Sequence, residues 1–339
     1  MSALQTRTPW AIALHGGAGA IAKGTEESEV EAYEAALTRV LLHGAGRLAA
    51  GVASLAVAVE VVSLLEDCPL FNAGHGAVCN ELGLHELEAC VMDGVNLRSG
   101  AVAGLTRVRN PIELARHVMT DSPHAFLIGA GAEAFAVRRG LTMVENSWFS
   151  TPRRLEQLEL LRREGASRFQ DPEVSLSGEG GSVGSGGSTV GCVVRDTRGD
   201  LVAATSTGGL TGKWAGRVGD TPFVGAGAYA SNMSCAVSGT GIGEAFMRSL
   251  ACREVAALME HHGMSLQAAV ERVLLHNLKP GDGGLIAVSA TGPVVMEMNT
   301  PGMYRACAHE AGVAAVGIWT QMKPILMEGA AASAEMDRA

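Results

Sequence analysis

Apolar positions along the chain change their period several times, and each change predicts an element. WAIAL at 10–14 is a short unbroken apolar run of the kind a buried strand carries, and it leads into the glycine-rich HGGAGA at 15–20. From 26 to 51, EESEVEAYEAALTRVLLHGAGRLAAG repeats its apolar residues at helical spacing, and 54–67 does so again. Two helices in succession interrupt any simple alternation of strand and helix. Strand patterns follow at 86–94 (ELEACVMDG) and 99–108 (SGAVAGLTRV), then helices opening near 111, 130 and 151. Further on, TVGCVVRD and LVAATSTGG flank a TRGD turn as a hairpin. A helix starts near Gly241 and runs through GEAFMRSLACREVAALMEHH, another covers 265–277, and GGLIAVSATGPVVMEMNT gives a second hairpin. Strands near the start of both halves, with helices after them, predict a mixed α/β sandwich without 20–50-residue repeats.

One stretch has no period. The segment from about 166 to 188, which contains FQDPEVSLSGEGGSVGSGGS, is dense in glycine and serine and poor in apolar residues, so it reads as an exposed linker. It stops abruptly at Thr189, the residue that opens the apolar run VGCVV.

Composition narrows the class. With 339 residues, 47% of them hydrophobic, the chain holds enough apolar material for one large domain or two small ones. A net charge of −9 without any Lys/Arg cluster argues against a duplex nucleic-acid binder. The opening MSALQTRTPWAIALHGG has no cationic region followed by a long apolar core, and no stretch of about eighteen apolar residues occurs, which predicts a cytoplasmic protein with no membrane partner. Seven scattered cysteines without a C-x-x-C pair indicate neither a disulfide framework nor a structural zinc site; they read as small buried apolar residues.

Several short motifs carry little. Gly17 to Ala22 fits the loose dinucleotide pattern G-x-G-x-x-[GA], but no crossover to a parallel second strand follows it. Gly180-Gly181-Ser182-Val183-Gly184 fits the nucleophile elbow G-x-S-x-G, which must follow a buried strand, whereas here it sits in low-complexity sequence. His85, Glu86, Glu88 and Asp93 are of metal-ligating type, yet on a strand Glu86 and Glu88 share one face while His85 points away, so a half-solvated strand is the better reading. Arg217 and Asp220 in GRVGDTP, taken alone, read as a turn with a surface ion pair.

Thr189 is different in kind. A threonine hydroxyl is a poor nucleophile at neutral pH. If the peptide bond before Thr189 is cut, the same residue gains a free α-amine, with a pKa near 7.7–8.0, close enough to accept its own hydroxyl proton directly or through water. A linker ending at a threonine that opens a buried strand is what such self-cleavage needs. The linker by itself also fits a plain β-branched strand residue after a hinge.

Over nearly its whole length the sequence resembles the plant-type (bacterial type III) L-asparaginases, or isoaspartyl peptidases, of the N-terminal-nucleophile hydrolases. The resemblance is carried, in order, by HGGAGA, CPLFNAGHGAV, HELEACVMDG, AVAGLTRVRNP, TVGCVV, ATSTGG, GRVGDTPFVGAGAYA, GTGIGE, GGLIA and GMYRA. It implies a four-layer αββα sandwich forming a single domain over 1–339, cut at Ser188–Thr189 into a 1–188 α chain, ending in the 166–188 linker, and a 189–339 β chain.

The resemblance also implies roles for single residues. Thr189 matches the nucleophile and Thr207 a second threonine that orients it. Arg217 and Asp220 match the pair that grips the substrate's α-carboxylate and α-amino group. Their charges suit a zwitterion, since a guanidinium forks onto a carboxylate. Thr240 and Gly241 match the oxyanion site, and Asn72 an asparagine nearby. Main-chain carbonyls of Leu65, Glu66, Cys68, Phe71, Ala73 and His75 match a loop that holds a structural sodium ion, with no cofactor needed for catalysis.

The implied reaction is hydrolysis of the side-chain amide of L-asparagine and of β-aspartyl dipeptides, by a dimer of αβ units. Preference between those substrates stays open. So do two alternatives: an uncleaved amino-acid-binding protein on this fold, and a relative specific for glycosylasparagine or protein substrates. Gly212, where relatives often carry asparagine, and Ala228 depart from the family tolerably; the departure that matters is Ser188, where the family usually has glycine before the nucleophile. Serine resists a strained scissile geometry that glycine tolerates, which predicts slower maturation.

Overall fold

The computed structural model describes residues 9–19, 24–163 and 189–327. The expected linker, Ser188, the G-x-S-x-G match and the end of the first glycine turn lie outside the described residues. In chain order the elements are β1 (Ala11–Ala18), α1 (Glu27–Ala49), α2 (Ser54–Glu66), β2 (Leu87–Asp93), β3 (Ser99–Leu105), α3 (Pro111–Asp121), β4 (Phe126–Ile128), α4 (Gly129–Arg138) and α5 (Pro152–Arg163). After position 188 come β5 (Val190–Arg195), β6 (Leu201–Thr207), β7 (Ala228–Ala230), β8 (Cys235–Gly241), α6 (Gly243–Ser249), α7 (Ala251–His262) and α8 (Leu266–His276). The chain ends with β9 (Gly283–Ser289), β10 (Val294–Met298), β11 (Met303–His309), β12 (Ala314–Gly317) and β13 (Lys323–Pro324).

The architecture is mixed α/β. Among the described residues, one nine-stranded sheet has the order β13-β12-β11-β1-β5-β6-β2-β3-β4, and a four-stranded sheet has the order β10-β9-β8-β7. All pairings are antiparallel except β3 with β4. Strands from before and after the Gly/Ser segment interleave in the large sheet, since β1 lies between β11 and β5 and β6 pairs with β2. Hydrogen-bonded ladders therefore cross the 188/189 junction in both directions.

Alternation along each strand decides what packs where. On β5, Val190, Cys192 and Val194 join Leu37, Val61 and Ile112 of α1, α2 and α3 in the largest apolar cluster. Val193, with Leu201 and Ala203 of β6, turns the other way and meets Ala228, Ala236, Ile286 and Val288 of the small sheet. Alanine dominates that second cluster, which lets the two sheets approach closely. The outer face of the small sheet is covered by α7 and α8 through Val255, Ala269 and Val273. The α2 N-terminus is tied to the β5–β6 turn: Asp196 Oδ2 accepts the Ser54 N–H at 2.9 Å, filling one of the orphan donors of a helix start.

The structure corrects several sequence expectations. The first strand continues past Leu14 through His15 to Ala18, because Gly17 and Ala18 pair with β11 after a register shift at Gly16 rather than turning. The helix expected to begin at Gly241 is two. Gly241 ends β8, α6 starts at Gly243, and the chain breaks at Leu250, whose φ is +46°, before α7. The 86–94 strand is buried rather than half-solvated, with Glu88 only 1% exposed. Strands β4, β7, β8, β11, β12 and β13 had no place in the sequence reading. All seven cysteines are free, and all but Cys307 are buried, as their sequence spacing suggested. No helix among the described residues is long and apolar enough to cross a membrane.

Candidate active site

Two sheets meet where β5 begins. The β5–β6 register pairs Val190 with Ser206, so one step earlier Thr189 stands beside Thr207, the last residue of β6. In the next strand Glu88 lies opposite Thr207. Because Val190 faces the helices, Thr189 faces the small sheet, and it is buried there.

The Thr189 carbonyl is held from behind. His15 Nδ1 lies 2.8 Å from that oxygen and His15 Nε2 lies 2.8 Å from Ser238 Oγ on β8. A carbonyl only accepts, so Nδ1 carries the proton, and Nε2 accepts the Ser238 hydroxyl proton. Burial lowers the His15 pKa to about 3, against which the Thr189 hydrogen bond is the weaker influence, so the ring is neutral at working pH. His15 therefore cannot serve as a charged acid; it positions the first rung of β5. Gly191, paired with His15 across β1 and β5, has no room for a Cβ, which would clash with Ser238 Oγ and His15 Nε2.

Thr207 Oγ1 accepts the Gly209 N–H at 3.0 Å, which leaves its own hydroxyl proton to point elsewhere. The turn after Thr207 is fastened by Asn72, whose Nδ2 donates to Gly209 O at 2.7 Å and whose Oδ1 accepts the Val78 N–H at 2.8 Å. With these bonds made, buried Asn72 acts as a brace for the threonine turn. Thr240 Oγ1 on β8 accepts the Ala18 N–H at 3.1 Å, so it sits over the end of β1, the strand beside β5. Gly241 has φ +151°, and a Cβ there would clash with Asp282 O, so only glycine fits. α6 begins only at Gly243 and is one short helix of 7 residues, so Gly241 is the last residue of β8 and not a helix start.

Arg217 and Asp220 do not form the surface ion pair that their spacing suggested. Arg217 is forked onto Glu244 of α6, with Nε to Oε1 and Nη2 to Oε2 both at 2.9 Å. Asp220 is buried, and its Oδ2 has no hydrogen-bond partner among the described residues. Burial is the main cause that pushes the Asp220 carboxyl up to about 7; Glu88 and Glu244 add to it and Arg217 opposes it. Gly243 is wedged against both groups, since a Cβ on it would lie 2.8 Å from Asp220 Oδ1 and 2.9 Å from Arg217 Nη2. A guanidinium and an unpartnered buried carboxylate thus share one corner of the site, which is what an α-amino acid would require.

The expected sodium loop follows α2. The Glu66 and Cys68 carbonyls each accept one backbone N–H, from His75 and Phe71, which leaves each a second lone pair, whereas the Leu65 carbonyl accepts from both Asp67 and Cys68. A Cβ on Gly74 would clash with Glu66 O, and one on Gly76 would lie 2.6 Å from Pro69 O and 2.8 Å from Phe71 O. The glycines let the chain pack closely against these carbonyls, and carbonyl oxygens are the donor type that suits a hard cation. The metal-type residues His85, Glu86 and Glu88 are each engaged otherwise: His85 with Ser150, Glu86 with Asn80 and Gly216, Glu88 with Gly219. Among the described residues no cluster of three or more such side chains is poised for a metal.

Sequence reasoning missed His15, Ser238, Glu244 and Lys213, and treated Glu88 only as a metal idea. All but Ser238 are charged or imidazole residues visible in the sequence, but their partners lie on elements distant in the chain.

Comparison with known proteins finds relatives along most of the chain. A family model described as Asparaginase matches residues 8–318. The chain is 50% identical to an isoaspartyl peptidase of Salmonella typhimurium strain LT2 over 91% of its own length and 98% of that protein. It is 49% identical to an isoaspartyl peptidase of Escherichia coli K12, over 91% and 96%. To a probable isoaspartyl peptidase/L-asparaginase 2 of Arabidopsis thaliana it is 44% identical, over 91% and 99%.

Proposed function

The chain belongs to the asparaginase family, and from that premise we propose that it is an autoproteolytically activated threonine hydrolase, an isoaspartyl peptidase/L-asparaginase. The carrying observation is the placement of Thr189 immediately before β5, its carbonyl pinned by a neutral His15 and Thr207 beside it on β6. The helix-on-sheet, sheet-on-sheet and sheet-on-helix clusters support reading the architecture as the four-layer αββα sandwich of N-terminal-nucleophile hydrolases.

In the precursor, the Thr189 hydroxyl attacks the Ser188 carbonyl. The peptide C–N bond breaks, an ester forms, and water hydrolyses it to a Ser188 carboxylate and a free Thr189 α-amine. The two chains stay together because the β1–β5, β2–β6 and β1–β11 ladders join residues from either side of the cut. In the mature enzyme the amine takes the hydroxyl proton as Oγ attacks the side-chain carbonyl of L-asparagine or a β-aspartyl dipeptide. Ammonia or an amino acid leaves, and water releases aspartate from the ester. Thr240 and the Gly241 amide face the developing oxyanion. Arg217 turns from Glu244 to the α-carboxylate, and Asp220 Oδ2 takes the α-ammonium. Sodium, if held by the carbonyls of the 65–75 loop, stiffens the turn bearing Asn72 and takes no part in the reaction. By the same family reading the enzyme is a cytoplasmic dimer of αβ units.

Intact mass and N-terminal sequencing after incubation at neutral pH test this reading. Two chains, the second beginning Thr-Val-Gly-Cys, with asparagine and β-aspartyl dipeptide hydrolysis lost in Thr189→Ala, are the expected result. A chain that stays whole and hydrolyses nothing would refute it and favour an amino-acid-binding protein, to which Arg217 and Asp220 would be equally suited.

A further inference from the structure

The loop bearing Arg217 and Asp220 has a tether that the reaction above does not use. Glu88 lies on β2 in the same rung as Thr207. Its carboxylate reaches into the 213–220 loop, where the Gly219 N–H donates to both oxygens, at 3.0 and 3.2 Å. Lys213 Nζ stands 3.5 Å from Glu88 Oε1, with both side chains only 1% exposed, and donates to Glu86 O at 2.8 Å. Gly219 is the residue just before Asp220, and a Cβ on it would lie 2.8 Å from Arg217 Nη1 and 3.4 Å from Glu88 Oε2. The tethered amide therefore sits between the two halves of the substrate clamp.

A buried ion pair is a poor way to gain stability, because desolvation offsets much of its attraction. An apolar pair would fill the same space more cheaply. What the pair supplies here is geometry: a charge-assisted hydrogen bond that fixes one loop amide. A second tether holds the other side of Arg217, where the Gly216 N–H donates to both Glu86 carboxylate oxygens, and the guanidinium itself is forked onto Glu244.

Resting on the hydrolase reading above, we propose that Glu88 is a specificity-determining positioning residue. Through the Gly219 amide and Lys213 it sets the spacing of the Arg217 guanidinium from the Asp220 carboxylate. It thereby selects substrates whose carboxylate and ammonium stand on one carbon, the free α-amino-acid end of asparagine and β-aspartyl peptides. Glu88 bonds to the 213–220 loop and not to Thr189, so its loss shows in binding rather than in turnover or maturation.

Three variants test this. Glu88→Leu with Lys213→Met removes the tether without stranding a buried charge. Glu88→Gln with Lys213→Met also removes both charges but keeps an acceptor for the Gly219 N–H. Glu88→Asp keeps the charge for Lys213 but stops one methylene short of Gly219, and it carries the test if the first variant does not fold. Each is measured for autocleavage by intact mass, for kcat and KM with L-asparagine, and for its preference for L-asparagine over succinamate, the same amide without the α-amine.

The Leu/Met variant is expected to mature like the parent, to raise KM for L-asparagine at least tenfold with kcat within threefold, and to narrow the preference over succinamate at least tenfold. Gln/Met should stay within threefold of the parent KM, and Asp should raise it at least threefold. Unchanged KM in Leu/Met or Asp overturns the proposal, as does a fall in kcat and maturation at constant KM, which would place Glu88 behind Thr207 instead. Equal damage in Gln/Met and Leu/Met also overturns it. A parent that neither cleaves nor hydrolyses refutes the hydrolase reading itself, whereas an active parent with unchanged variants refutes only the role of Glu88.

Discussion

Asp220→Asn should make the protein more stable and less active, with the two effects separable by pH. Asp220 is an acid whose native pKa burial raises to about 7, against an unfolded value near 3.9. The folded state therefore binds this proton more tightly than the unfolded state does. Its contribution to stability is fully present below about pH 4 and is lost as pH rises through 7. A rise of that size corresponds to roughly 2–4 kcal/mol between pH 4 and pH 8. Asparagine carries no such charge, so the difference in unfolding free energy between the Asn and Asp forms should grow by that amount over the interval. Any fixed cost of the amide itself cancels in the comparison, and so does the other strongly raised carboxyl, Glu66, which burial pushes up to about 8 in both forms.

The assay is urea unfolding at pH 4, 6 and 8, in a Thr189→Ala background so that one covalent chain unfolds. In the active background the same substitution strips the substrate ammonium of its buried partner, and kcat/KM for L-asparagine should fall by about 10²–10³-fold. Parallel stability curves at all three pH values would show that Asp220 is not held as a buried acid. Such a result would remove the physical reason for assigning it the ammonium.

Two further outcomes follow from close contacts and from the junction. Gly191→Ala drives a methyl group into Ser238 Oγ and His15 Nε2; at about 1–3 kcal/mol for overpacking it should lower Tm measurably and slow maturation, and unchanged values of both would mean that the His15 rung does not position Thr189. Ser188→Gly should speed autocleavage by roughly 5–30-fold, the equivalent of about 1–2 kcal/mol of relieved strain; time-resolved intact mass measures it, and an equal or slower rate would show that the preceding residue does not limit the cut.

Much of the fold was legible where one local rule decided the outcome. The helices at 27–49 and 54–66 and the β5–β6 hairpin carry a single period from end to end, and they form as their pattern predicts. The strands that the pattern did not announce are those whose side chains are small or polar. In β8, CAVSGTG, burial is nearly complete although half the residues would be unremarkable in a loop. In β11, MYRACAH, an arginine sits in a strand that pairs with β1 and β12. Their strand character comes from partners distant in sequence, so no window of residues contains it. The single break at Leu250 was hidden for a related reason: GEAFMRSLACREVAALMEHH is helical in every local respect, and only the left-handed backbone at Leu250 divides it.

The site divides along the same line. Thr189 stood out because chemistry, not periodicity, marks a threonine that ends a Gly/Ser segment, and Arg217 and Asp220 became legible through the motif that carries both. The groups that hold these residues in place were not legible, because each one works across sheets or strands far apart in sequence. His15 reaches Thr189 and Ser238, 174 and 223 residues away. Glu88 reaches Gly219 over 131 residues, and Glu244 reaches Arg217 from the next helix. In sequence, a buried glutamate on a strand looks the same as a solvated one. Only the register that sets Glu88 opposite Thr207, within reach of the Gly219 amide, turns an apparent surface charge into a buried tether of the 213–220 loop. A fold that cuts its own chain has particular need of such long-range ties. If the chain is cut before Thr189 as proposed, nothing covalent fixes that residue to the strands before it, and the ladders and buried side-chain bonds across the junction must keep it in place.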